Sequence, residues 1–351
     1  YTQAVGSPAT QADGGALTNW WGFTNERSIK QMAVKATKTW AGDSLWYDAT
    51  RPASVTFQLR YRKETDTTWI NLYALSATPD PLCPMPFGSA AQVTLTPSSI
   101  TDWGSVFAQW NDLPAYAYKA SDTDTTVGLQ YSVVEVAVNG YNTTYNSSAI
   151  TAKTASSIVP VAVSVTNTLR TVSLQGAKHW VDESNRYGRR PSSVSLTLLA
   201  GGSALSPQPT INWVKTGNDW TYSVTGLPRY QKGTLTPVIY TVTEVVPPDY
   251  QPDAATVSGT VNGSTGNITA ADFTNRLTTV NISGQKNWVD DTNRYGMRPA
   301  AITLTVLDGS TPVAPQPDIG WVKGTNAWTY TITGLPRYYA GTTDPIAYSV
   351  Q

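Results

Sequence analysis

The chain has 351 residues, with 24 basic and 24 acidic side chains that cancel to no formal net charge, and charged residues make up 14% of it. That balance leaves no strong field to draw in a nucleic acid or an anionic membrane surface. One cysteine, Cys83, and one histidine, His179, exclude an internal disulfide and a histidine-based metal cluster; no cofactor is expected, and no apolar run approaches the ~20 residues of a membrane span.

Thr, Ser, Val, Tyr, Trp, Gly and Pro abound and no long amphipathic helical pattern appears, which predicts an all-β chain of short strands. In chain order, residues 1–27 read as the closing strands of a preceding or neighbouring domain. Tyr1-Thr2-Gln3 … Phe23-Thr24-Asn25 matches Tyr250-Gln251-Pro252 … Phe273-Thr274-Asn275. Residues 28–169 form a first copy, opening on Lys38-Thr39-Trp40. From Arg51 to Leu113 it has 62 residues where the second copy, from Arg190 to Leu227, has 37. The excess, within about 62–112, includes the Pro-rich Pro79–Phe87, which reads as an irregular excursion.

Residues 170–277 form the second copy, and 278–351 repeat it. Lys178-His179-Trp180-Val181-Asp182 recurs 108 residues on as Lys286-Asn287-Trp288-Val289-Asp290, and Arg190-Pro191 and Gly226-Leu227-Pro228-Arg229-Tyr230 recur at the same offset. Asn185–Gly188 and Asn293–Gly296 read as turns, Ser192–Leu199 and Trp220–Val224 as strands. The third copy reaches Tyr348-Ser349-Val350-Gln351 without a residue equivalent to Glu244 and without closing strands. Several strands in about 105 residues suggest a sandwich of two sheets per copy. Short connectors, Thr168-Leu169-Arg170 and Arg276-Leu277-Thr278, favour a stiff, elongated rod.

Strand parity then picks out a polar triple, because side chains two apart share a face. Lys178 shares its face with Val172, Leu174 and Trp180; Glu244 with Tyr240 and Val242; Asn275 with Phe273. The first copy repeats this with Lys38, Glu135 and Asn167. Lysine and glutamate are rarely buried without partners, so the triple must compensate itself. Desolvation lowers the lysine pKa and raises that of the glutamate, making a neutral amine beside a protonated carboxyl accessible. Such an amine can attack the asparagine carboxamide while the carboxyl shuttles protons and ammonia leaves. Two outcomes stay open on this reading, a buried ion pair and an internal Lys–Asn isopeptide bond.

The combination Lys-x-Trp-x-Asp … Arg-Pro … Leu-Pro-x-Tyr … Tyr-x-Val-x-Glu … Thr-Asn resembles the B-type repeat domain of Gram-positive collagen adhesins, over nearly the whole chain. The resemblance implies tandem inverse immunoglobulin-like β-sandwiches, an extracellular, cell-surface or cell-wall location and a stalk, fibre or pilin role. It also implies isopeptide bonds Lys38–Asn167 and Lys178–Asn275, promoted by Glu135 and Glu244. Asn25 and Lys286 would belong to incomplete triads.

Head-to-tail contacts with copies of itself or adjacent repeats, and a host or matrix ligand, are the partners this reading admits. Two alternatives accompany it: a ligand-binding adhesin module acting through the first-copy insertion, and a pilin or filament subunit assembled by strand complementation between chains. An enzyme with an outside substrate is not expected, only single-turnover bond formation. The repeated Trp40, Trp180 and Trp288 read as packing residues, while Trp20, Trp21, Trp69, Trp103 and Trp110 lie outside the shared pattern and read as candidates for a specific surface.

Overall fold

The computed structural model describes residues 2–5, 23–26, 31–72, 91–116, 127–147, 149–151, 160–254, 256–261, 266–270 and 272–351. They fall into two compact units, Tyr1–Arg170 with Tyr230–Thr236, and Thr171–Arg229 with Pro237–Gln351. Strands dominate both. Trp20, Trp21, Cys83 and the Pro79–Phe87 excursion lie outside the described residues.

In the first unit, β1 (Thr2–Val5) and β2 (Phe23–Glu26) form an antiparallel pair with Gln3 opposite Asn25. The strands that follow are β3 (Gln31–Ala41), β4 (Val55–Lys63), β5 (Ile70–Asn71), β6 (Gln92–Leu95), β7 (Phe107–Pro114), β8 (Leu129–Glu135), β9 (Tyr141–Tyr145), β10 (Ile150–Thr151) and β11 (Val161–Leu169). They build two sheets, β7-β3-β11-β9 and β10-β8-β4-β5 with β6 also on β4. Between them lies one core that includes Val34, Ala36, Phe57, Leu59, Tyr131, Val163 and Val165. The first and last strands, β3 and β11, are neighbours and run parallel.

That core corrects one expectation from the sequence. Trp103 and Trp110 are 2% and 0% exposed and belong to it, so neither can serve an outer surface. Trp110 lies opposite Val34 on β7, and Trp103, in a short helical turn (Trp103–Ser105), meets Trp40 edge-on at 5.3 Å. The described part of the first-copy excess includes two added strands, β5 and β6, which both pair with β4.

The second unit opens with β12 (Thr171–Val181), β13 (Leu196–Ala200), β14 (Ser203–Ala204), β15 (Asn212–Thr216) and β16 (Asp219–Pro228). It continues through β17 (Tyr240–Glu244), β18 (Tyr250–Pro252), β19 (Thr256–Val261), β20 (Ile268–Ala270) and β21 (Phe273–Leu277). β12 again lies parallel to the closing strand β21, and antiparallel to β16 on its other side. β19 pairs with both β17 and β20 and so joins the two layers at one edge. The expected strand at Ser192–Leu199 begins only at Leu196, where pairing with Glu244 starts. The Asn185–Gly188 segment is a turn as expected, with positive φ at Asn185 and Gly188.

The rest of this unit holds β22 (Thr279–Asn287), β23 (Val306–Asp308), β24 (Thr311–Pro312), β25 (Ile319–Lys323), β26 (Ala327–Pro336) and β27 (Tyr348–Val350). They form two three-stranded sheets, β22-β26-β25 and β24-β23-β27, over a small core of Val306, Ile332 and Leu335. The connectors are shorter than the sequence suggests. Only Arg170 separates β11 from β12, and only Thr278 separates β21 from β22, because pairing with β9 and β18 carries the closing strands through Leu169 and Leu277.

Local packing explains why copies of one fold tolerate different residues. Gly176 lies opposite Tyr222 and Gly284 opposite Tyr330, with the tyrosine ring occupying the space a Cβ would need. At the matching pair of the first copy, Ala36 faces Ala108, a single methyl group on each side. Gly176→Ala therefore overpacks the sheet and should cost about 1–3 kcal/mol in thermal unfolding, and the loss should shrink when Tyr222 is also replaced by alanine.

Candidate crosslinking site

The structure places each complete triple at one point of its sandwich. Lys38 stands on β3 opposite Val165 of β11, and Asn167 lies two residues further along β11, opposite Trp40. Lys178 of β12 and Asn275 of β21 have the same relation through Phe273 and Trp180. With strands ~4.8 Å apart and ~3.3 Å of rise per residue, these Cα atoms are about 8 Å apart, within reach of an extended lysine. Glu135 and Glu244 arrive from the facing sheet, on β8 and β17.

All six side chains are buried: Lys178, Asn167 and Asn275 at 0% exposure, Lys38 at 2%, Glu135 at 5% and Glu244 at 8%. Lys38 Nζ is 3.2 Å from Glu135 Oε1, and Lys178 Nζ is 3.5 Å from Glu244 Oε1. Asn275 Nδ2 donates to Glu244 Oε1 at 2.9 Å, and Thr143 Oγ1 donates to Glu135 Oε2 at 3.1 Å. Burial pushes both lysines down to about 8, against the pull of their glutamates. Near pH 7 roughly a tenth of such an amine is neutral, far more than for an ordinary lysine. Burial also raises the Glu244 carboxyl, with Lys178 and Asn275 opposing the rise.

Polar atoms without a hydrogen-bond partner gather here. They include both carboxamide atoms of Asn167, Lys178 Nζ, Asn275 Oδ1, Glu135 Oε1 and Glu244 Oε2. Lys178 Nζ and Glu135 Oε1 each still face the opposite charge of their ion pair. Buried polar groups are normally satisfied, and other unpartnered atoms among the described residues, such as Trp40 Nε1, Tyr61 Oη and both Asp249 oxygens, lie outside the triads.

The incomplete triads are placed differently. Lys286 is exposed on β22, whose only partner among the described strands is β26. Asn25 lies on β2 opposite Gln3, the backbone relation that Asn275 has to Pro252 and Asn167 to Thr143. Parity alone did not reveal a buried clasp beside each complete triad. Asp182 accepts two hydrogen bonds from Arg190 and one from Tyr250 Oη at 3.0 Å. Asp43, Arg51 and Tyr141 repeat it in the first copy. The signal was present in the sequence: the aspartate precedes the arginine by eight residues in all three copies.

A collagen adhesin from Staphylococcus aureus is 30% identical over 253 residues, which is 71% of this chain and 18% of that protein's length. Among solved structures, two B repeat units (B1B2) of the collagen-binding protein of Staphylococcus aureus cover 94% of this chain and 70% of that one, at 23% identity and TM-score 0.32. The major pilin from Streptococcus pyogenes covers 72% and 99%, at 15% identity and TM-score 0.33. The family model of the Cna protein B-type domain matches residues 174–269 and 282–351, so the second and third copies are similar to that domain.

Proposed function

We propose that this chain is a structural segment of an extracellular, cell-surface stalk, fibre or adhesin whose B-type domains close themselves with Lys–Asn isopeptide bonds. The domains are those of the repeat, residues 28–169, 170–277 and 278–351, with 1–27 as closing strands. The bonds are Lys38–Asn167 and Lys178–Asn275, with Glu135 and Glu244 carrying protons. One observation supports this above others: in each complete copy the lysine, glutamate and asparagine are brought together in the core, with Lys38 Nζ 3.2 Å from Glu135 Oε1, Lys178 Nζ 3.5 Å from Glu244 Oε1, and Asn275 Nδ2 donating to that same Glu244 oxygen.

The neutral amine attacks Asn Cγ and forms the Cγ–Nζ bond; the Cγ–Nδ2 bond breaks, and Nδ2 leaves as ammonia with the proton that the amine gave up through the glutamate. One Nζ hydrogen remains on the new amide. No other reactant is needed.

In the same reading, Lys286 is completed by a strand pair like β1–β2, supplied by an adjacent repeat or a neighbouring copy. The repeated backbone register of Asn25 supports that arrangement. Intact mass spectrometry of the chain tests the bonds. Two bonds lower the mass by two ammonia molecules, about 17 Da each, and digestion should yield branched peptides joining Lys38 to Asn167 and Lys178 to Asn275. A mass equal to that of the unmodified sequence would leave only buried ion pairs.

A further inference from the structure

The indole two residues after each reactive lysine is anchored in the same way in both complete copies. Lys38 Nζ lies 4.5 Å from the Trp40 ring centroid and the Arg51 guanidinium carbon 5.5 Å from it; for Trp180 the distances are 4.6 Å to Lys178 and 5.8 Å to Arg190. Each arginine is tied to the aspartate eight residues before it, Arg51 to both oxygens of Asp43 at 2.8 Å. Each aspartate also accepts from a tyrosine, Tyr141 at 2.9 Å and Tyr250 at 3.0 Å. The same tyrosines meet the indoles edge-on, with centroids 4.8 and 5.0 Å apart.

This clasp reaches three strands that matter for the reaction. Asp182 follows β12, which carries Lys178, and Tyr250 opens β18, whose partner β21 carries Asn275. The third copy keeps the Asp290–Arg298 pair. No tyrosine bonds to Asp290 among the described residues, and there Lys286 stands 5.4 Å from its indole and is exposed.

We propose that Trp40 and Trp180, each fixed by its Asp–Arg–Tyr clasp, are positioning residues that hold the lysine amine toward the asparagine carboxamide before the bond forms. The proposal rests on the bond-forming reading above. A lysine has four side-chain torsions to fix, and a ring face beside the amine removes much of that freedom while keeping water away. The clasp fixes the ring and draws the two strands together, so the reacting atoms meet as a preorganised pair.

The test follows the Lys178–Asn275 branched peptide over time in chains made by cell-free synthesis and quenched at intervals, with the Lys38–Asn167 peptide as internal control. Trp180→Phe, which keeps a ring face, should react within about threefold of the unaltered chain. Trp180→Leu and Tyr250→Phe should react at least about tenfold more slowly, each losing the order of a cation–π contact or a buried hydrogen bond. A packing role alone predicts that the variants lower the unfolding temperature while crosslinking at the original rate, and that result overturns the proposal. Should Trp180→Leu fail to fold, Tyr250→Phe, which removes a single oxygen, decides. If the unaltered chain yields no branched peptide, the bond-forming reading fails instead, which separates the two failures.

Discussion

Lys178→Ala should lower the unfolding temperature of the second copy by about 20 °C or more. The Lys178–Asn275 bond would close a loop of 97 residues, and the chain-entropy model assigns about 4.7 kcal/mol to a link closing ~100 residues. For a domain of this size, each kcal/mol moves the midpoint by about 4–8 °C. The substitution also removes the Nζ–H that stands beside the buried Glu244 carboxyl, adding to the loss. Asn275→Ala separates the two contributions, because it removes the bond and keeps the ion pair. Calorimetry should place Asn275→Ala between the unaltered chain and Lys178→Ala. If both variants unfold at the original temperature, no covalent link joins these strands.

Glu244→Gln should leave the second copy folded and slow crosslinking by about a hundredfold or more, the usual range for removing a positioned proton carrier being 10²–10⁴. Glutamine preserves the shape of the side chain that faces Lys178 Nζ and Asn275 Nδ2, but it cannot accept the amine proton and return it to the departing nitrogen. Each such variant should remain one ammonia heavier than the crosslinked chain, apart from the small mass change of the substitution itself. Glu135→Gln should do the same in the first copy alone, since its carboxylate meets Lys38 and Thr143 of that copy. Full crosslinking of both variants at the ordinary rate would remove the glutamates from the chemistry.

Much of this site was legible in the sequence because strands report the direction of their side chains. Val172, Leu174, Lys178 and Trp180 are all buried, as parity requires, despite a bulge between Val172 and Leu174. Bulges recur at Met32/Val34 and Val280/Ile282, so the copies share their departures from regularity too. What parity could not supply was contact between loops. Arg190 and Asp182 sit outside the periodic part of their strands, and nothing in a two-residue rhythm says that the guanidinium folds back onto the carboxylate beneath Trp180. Trp103 and Trp110 were misplaced for a related reason: lying outside the repeat says nothing about depth when the first copy fills its core with different side chains.

The parallel pairing of first and closing strands acquires another meaning when the chain is pulled from its ends. Tension enters the second copy at Thr171 and leaves at Leu277, along two adjacent strands. With Lys178 bonded to Asn275, the load crosses after a few residues, and the 97-residue loop between them carries none of it. Without the bond, that loop could pay out about 300 Å of extended chain at ~3.3–3.6 Å per residue. A single amide placed at this junction would therefore make the domain nearly inextensible, whatever the fate of the sheets it bypasses.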